Sequence, residues 1–163
     1  YWAADMIDFA ISRELFAGTA VDTFAPDETM SRAMIVTVLA RLEGVDTATG
    51  DTRYEAGRQW AMANGVSDGT NMEQGLSRQQ LATMLWRYAQ AKGYDVSIGE
   101  DTNILSYSDA FDVSEYAIPA MQWACGAGII NGTSATTLTP QGRATRAQVA
   151  TMLMRFCEKT VTW

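Results

Sequence analysis

Three arginines stand behind a hydroxyl residue, in the pairs Ser31-Arg32, Ser77-Arg78 and Thr145-Arg146. Each pair is followed by the same apolar spacing. The runs are Ile35, Val36, Val38 and Leu39; Leu81, Ala82, Met84 and Leu85; and Val149, Ala150, Met152 and Leu153. This is the buried stripe of an amphipathic helix. The Ser or Thr is then its N-cap, and Ser77-x-x-Gln80 and Thr145-x-x-Gln148 read as capping boxes. Ser31 also caps, with Met34 where the glutamine would stand. Each arginine therefore occupies the first helical position, where the helix dipole disfavours a cation by about 0.3–1 kcal/mol. Three such placements in a chain of net charge −7 need a reason. One reason is structural: each arginine pairs with a carboxylate of a neighbouring repeat. The other is chemical: free helix-start N–H groups beside a guanidinium make an anion site.

The elements that place these arginines repeat as well. Upstream, Phe9-Ala10, Trp60-Ala61 and Trp123-Ala124 match, each on a predicted helix. The predicted stops are Gly18-Thr19, Gly69-Thr70 and Gly132-Thr133. Phe24-Ala25-Pro26 and Leu138-Thr139-Pro140 then lie in the loops of the first and third copies. The second loop, Asn71 to Leu76, is shorter and lacks this motif. The pattern predicts an all-α domain of three helix–loop–helix repeats, at 1–46, 47–95 and 104–159. One unit is too small to bury its own apolar face, so the three are expected to pack as a compact pseudo-threefold domain.

Composition narrows the function. The acidic balance argues against nucleic acid. The absence of histidine removes the commonest general base and metal ligand. No apolar run approaches the roughly 20 residues of a membrane helix. No cofactor and no metal site are expected. Asp109, Asp112 and Glu115 cluster near a loop, but such carboxylates are more often caps or solvated faces than a glycosidase pair. The calcium-loop spacing is absent. Cys125 and Cys157 fall in apolar helical patterns and read as buried thiols. Tyr1-Trp2 already reads as helix, which suggests a piece of a longer protein.

With these residues in view, the chain resembles the S-layer homology family. The third copy carries the resemblance best. It has Tyr107-Ser108-Asp109, Trp123-Ala124, Gly128-Ile129-Ile130-Asn131-Gly132-Thr133, Leu138-x-Pro140 and Thr145-Arg146-Ala147-Gln148. Trp60-Ala61 through Asp68-Gly69, with Ser77-Arg78-Gln79-Gln80, gives the second copy. Phe24-x-Pro26 with Ser31-Arg32-Ala33 gives the first. All three lack the signature's final glutamate.

The resemblance implies a three-pronged, monomeric pseudo-trimer with grooves between repeats. It implies a non-catalytic module that tethers an exported protein to the bacterial cell wall. The implied ligand is an acidic secondary cell-wall polysaccharide, often ending in pyruvylated N-acetylmannosamine. The residues expected to hold it are Arg32, Arg78 and Arg146, with the caps Ser31, Ser77 and Thr145. Trp2 and Tyr116 would stack on sugar rings. Asp68, Asn131 and Asp109, with the turn glycines Gly18, Gly69 and Gly132, would line the grooves. The competing expectation is a helical-repeat module that binds protein.

Overall fold

The computed structural model describes residues 27–47, 54–134 and 136–160. It is mainly helical, as the sequence predicts. Helix α1 spans Arg32–Leu42, α2 Glu55–Ala63, α3 Arg78–Ala91, α4 Ile118–Gly126 and α5 Arg146–Lys159. Short 3-10 turns at Ser97–Asp101, Ala110–Asp112 and Glu115–Ala117 occupy the connection from α3 to α4. Pairing of extended backbone among the described residues consists of the isolated bridges Thr29–Thr145, Ser31–Gly75 and Ser77–Arg143. No described helix is long and apolar enough to cross a membrane. The helix expected before Gly18, with Trp2, Gly18 and Phe24-x-Pro26, lies outside the described residues.

The chain forms two compact units. One comprises Tyr1–Leu76 with Ala144–Met154, the other Ser77–Arg143 with Arg155–Trp163. In the first unit, α1 packs on α2 and buries Ile35, Val36, Leu39 and Ala40 completely. Gly57 permits the close crossing. A Cβ there would run into the main chain of Val36 and Thr37. In the second unit, α3 packs on α4, and Leu81, Leu85, Tyr88, Trp123 and Phe156 fill the core. Trp123 meets Phe156 edge-on, with ring centroids 6.1 Å apart. Trp60, its counterpart in sequence, is only half-buried.

The helices stop earlier than the Gly-Thr pairs suggest. Gly65 and Gly128, both in the left-handed region, make the turns that close α2 and α4. The Gly65 N–H donates to the Met62 carbonyl and the Val66 N–H to that of Ala61. Gly128 and Ile129 bond in the same way to Cys125 and Ala124. This is the Schellman arrangement, in which only glycine takes the positive φ without strain and the next apolar residue packs back on the helix. Gly69 and Gly132 instead belong to the loops that follow.

One residue before each N-cap, Met30, Leu76 and Ala144 are fully buried. The Met30 N–H donates to the Ala144 carbonyl at 2.8 Å, Ala144 to Leu76 at 2.9 Å and Leu76 to Met30 at 2.8 Å. Three segments far apart in sequence thus close a ring of main-chain hydrogen bonds inside the first unit.

Candidate functional site

Each arginine-bearing helix starts on the cap that its sequence predicts. The Ser31, Ser77 and Thr145 hydroxyls accept from the N–H groups of Met34, Gln80 and Gln148, each at 3.2 Å. The Gln80 and Gln148 side chains return the bond to Ser77 N–H at 2.9 Å and to Thr145 N–H at 3.1 Å. Met34 does so too. Its thioether sulfur lies 3.5 Å from the Ser31 nitrogen, so the first capping box closes on sulfur in place of an amide oxygen.

The remaining amides of the first turn are not free. Arg32 and Ala33 donate their main-chain N–H groups to the carbonyls of Gln74 (3.1 Å) and Met72 (2.7 Å). Arg78 and Gln79 donate to Gly142 (2.9 Å) and Pro140 (2.8 Å). Arg146 donates to Glu28 at 2.8 Å. Each helix start is therefore docked on the turn that ends another repeat's loop, and carbonyls saturate the donors that an anion would use. The anion site expected from open helix-start amides is absent at α1 and α3. What remains for an anion is the guanidinium.

The shortened second loop keeps this docking turn. Asn71 and Thr139 share a left-handed backbone, at φ 54° and 52°. Their carbonyls accept from Gln74 at 3.0 Å and Gly142 at 3.1 Å. Asn tolerates that conformation, whereas β-branched Thr139 is strained in it. Hydrogen bonds hold Thr139 in place. Its N–H donates to Asp109 Oδ2 at 2.8 Å, and its hydroxyl lies 2.6 Å from that of Thr133.

Arg78, Asp109 and Asn131 converge on this third-repeat loop. Arg78 is buried, at 7% exposure. Its Nε donates to the Leu138 carbonyl at 3.0 Å, and its Nη2 donates to the Asn131 carbonyl at 3.1 Å. Its partners are carbonyls, whereas the structural reading of the sequence expected a carboxylate. Burial lowers its pKa, and Cys125 and Asp109 oppose that shift. Asp109 grips the same loop from the other side, accepting from Leu138 N–H at Oδ1 and Thr139 N–H at Oδ2, both at 2.8 Å. Gly132 lies between, where the carbonyl oxygens of Ser134 and Thr137 leave no room for a Cβ.

Desolvation raises the Asp109 carboxyl. The two main-chain donors and the Arg78 charge outweigh it, so its pKa lies below the ordinary value. A carboxyl depressed on folding contributes stability above its unfolded pKa of about 3.9 and loses it as pH falls through the folded value. The Leu138 and Thr139 amide resonances are therefore expected to titrate together with a midpoint below about 3.9. Asp109→Asn should abolish that titration. A midpoint above the ordinary value would contradict the assignment.

The other arginines differ. Arg146 is buried at 2% exposure, with Nη1 3.9 Å from Met34 Sδ. Burial lowers its pKa, and the Glu28 charge opposes this. Arg32 is half-buried. Its Nε is shielded from solvent and has no hydrogen-bond partner among the described residues. The contrast with Arg78 follows from the loops. Arg78 Nε takes the Leu138 carbonyl, and the second repeat lacks the stretch that contains Leu138.

The remaining expected residues scatter. Asp68 is exposed and its Oδ1 accepts from the N–H and hydroxyl of Thr70. Gly69 has φ +79° and gives its carbonyl to Arg58 Nε at 2.9 Å, a contact that sequence reasoning missed. Tyr116 is half-exposed, on the Glu115–Ala117 turn. Neither cysteine is joined in a disulfide among the described residues. Cys157 is buried, and Cys125 is partly buried, with desolvation pushing its pKa up to about 11 against the pull of Arg78.

The S-layer homology domain matches residues 1–33 and 106–150. These stretches contain Ser31-Arg32, the Arg78-bound loop and Thr145-Arg146. The chain carries two stretches, just under half of its length, that match the S-layer homology domain. Such domains bind cell-wall polymers and are non-catalytic surface anchors, so the chain is an extracellular module of the bacterial cell surface. Among similar proteins, an exoglucanase, XynX, of Acetivibrio thermocellus is 26% identical over 98% of this chain and 16% of its own length. An amylopullulanase of Thermoanaerobacterium thermosulfurigenes is 25% identical over 98% of the chain and 9% of its own length. An endoglucanase of Bacillus sp. (strain KSM-635) is 25% identical over 93% and 17%. The chain thus spans less than a fifth of the length of these relatives. The S-layer homology match leaves out α2 and α3, whose capping box and docked turn nonetheless repeat those of the third copy.

Proposed function

We propose that the chain is a tandem of three S-layer homology repeats, at 1–46, 47–95 and 104–159. It anchors an exported protein by binding an anionic, pyruvylated secondary cell-wall polysaccharide. The middle repeat is a divergent copy with a shortened loop. The protein acts as a monomer, and catalysis belongs to whatever it carries. The relatives are named as an exoglucanase, an amylopullulanase and an endoglucanase and are many times longer, so a secreted enzyme is one class of passenger.

The observation that carries the ligand assignment is the Arg32 guanidinium. It stands at the same helical position as Arg78, but among the described residues no loop carbonyl takes its Nε. A carboxylate offers a planar pair of acceptors to the outer nitrogens of such a half-buried guanidinium, in charge-assisted bonds worth about 1.5–3 kcal/mol. Arg32 is therefore the principal anion contact. Arg78 positions the third loop, with Asp109 and the Asn131 carbonyl. Ser31, Ser77 and Thr145 act as caps. Tyr116, Asp68 and, in the first repeat, Trp2 and Gly18 supply sugar contacts. Gly69 and Gly132 shape the loops, and Arg146 is a second, more enclosed cation.

Co-sedimentation with purified cell walls tests the assignment. The chain should pellet with intact walls and stay in solution once acid extraction has removed the wall polysaccharide. Retention on extracted walls would assign binding to peptidoglycan or protein instead.

A further inference from the structure

The linker between the second and third repeats builds a groove. It joins the turn Ser97–Asp101 and residues 102–105 to the start of α4. The half-open groove has a volume of about 420 Å³, within the range of ligand-binding clefts. Three apolar side chains line it without being buried. Phe111 is 91% exposed, Leu105 64% and Ile118 39%. An apolar patch of this kind on a soluble domain marks a contact surface. The groove lies wholly in the second unit and contains none of the three arginines, so it is separate from the glycan contact proposed above.

Charge points to its occupant. Glu100 and Asp101 line the groove. From Gly93 to Gly142 the sequence holds Asp95, Glu100, Asp101, Asp109, Asp112 and Glu115 and neither lysine nor arginine. That stretch contributes −6 of the chain's −7. Asp109 is committed to the Leu138–Thr139 loop, and Glu100 and Asp101 remain in the groove lining beside an aromatic and two aliphatic anchors. Such a surface repels an acidic glycan or an anionic lipid headgroup. It complements a segment that presents apolar side chains among lysines or arginines.

We propose that this groove docks a basic, amphipathic polypeptide segment of a partner protein at the cell surface. The apolar side chains of the segment seat against Leu105, Phe111 and Ile118, and its cations face Glu100 and Asp101.

The test uses the whole chain and a synthetic amphipathic peptide of leucine and lysine, followed by NMR titration. A counterpart with glutamate in place of lysine is the control. The lysine peptide is expected to shift the resonances of residues 100–122. The Leu105→Ser/Phe111→Ser double variant should weaken binding at least tenfold. Glu100→Gln/Asp101→Asn should weaken it several-fold and flatten its salt dependence. Because Phe111 and Leu105 are exposed, the double variant should keep its melting temperature and its binding to purified walls. Equal binding of the glutamate peptide, or lysine-peptide binding untouched by the double variant, would overturn the proposal. Phe111-dependent binding to phosphatidylglycerol vesicles without peptide binding would overturn it in favour of a lipid surface. Wall binding retained while peptide binding fails would leave the glycan reading standing and remove only this one.

Discussion

Arg78→Ala is expected to lower the melting temperature by roughly 6–12 °C, with the largest structural change in the third-repeat loop. The side chain is buried and its guanidinium donates to the Leu138 and Asn131 carbonyls. Truncation removes two charge-assisted hydrogen bonds and strands the carbonyl of the fully buried Leu138, while that of the exposed Asn131 can turn to water. Leaving buried polar partners unmatched costs about 1–3 kcal/mol each before relaxation and water entry reduce the sum. A net loss of about 3 kcal/mol is a reasonable centre, and each kcal/mol shifts a domain of this size by about 2–4 °C. Asp109 holds the same loop independently, so the loop should loosen without detaching. Calorimetry and amide exchange at Leu138 and Thr139 measure both effects. A melting temperature within 2 °C of the parent would show that the two carbonyl bonds contribute little.

Arg32→Ala should behave in the opposite way, although the two residues hold equivalent sequence positions. Its main-chain N–H still reaches the Gln74 carbonyl after the change, since alanine keeps the amide. The lost side chain has an Nε without a partner among the described residues and places a cation at the disfavoured end of α1. Relief of these costs is worth about 0.3–1 kcal/mol for the dipole alone. The melting temperature should therefore hold or rise by up to about 3 °C. Affinity for the wall polysaccharide should fall by about 10–100-fold, the equivalent of one charge-assisted bidentate contact. A residue that costs stability where it stands and carries a ligand is a common form of stability–function trade-off.

Much of this was legible in the sequence, and the parts that were not have physical causes. The caps at Ser31, Ser77 and Thr145 are local, since each acts within three residues. Residue spacing was enough to find them. Helix ends were misread because Gly69 and Gly132 are followed by threonine and look like stops. The decisive signal was a glycine followed by an apolar residue, Gly65-Val66 and Gly128-Ile129, which closes a Schellman turn. Met34 looked like a broken capping box, because a thioether is rarely counted as an acceptor.

The role of the arginines could not be read locally at all. Whether a guanidinium is saturated depends on a loop some 50 or 60 residues away, as with Arg78 and its partners Asn131 and Leu138. The short second loop was visible in sequence, but its consequence was not. It removes a carbonyl from Arg32 and leaves the docking turn at Asn71–Gln74 intact. The groove at Phe111 was invisible for a related reason. Nothing in an apolar residue beside carboxylates tells whether it packs inward.

The central claim is that Arg32 binds the wall glycan and Arg78 holds a loop. The most direct measurement is a calorimetric titration of purified wall polysaccharide into the parent chain, Arg32→Ala and Arg78→Ala, below their melting temperatures. The account predicts that Arg32→Ala binds at least tenfold more weakly at unchanged or higher stability, whereas Arg78→Ala loses stability first and keeps most of its affinity. Parent-like affinity in Arg32→Ala, with loss confined to Arg78→Ala, would contradict it.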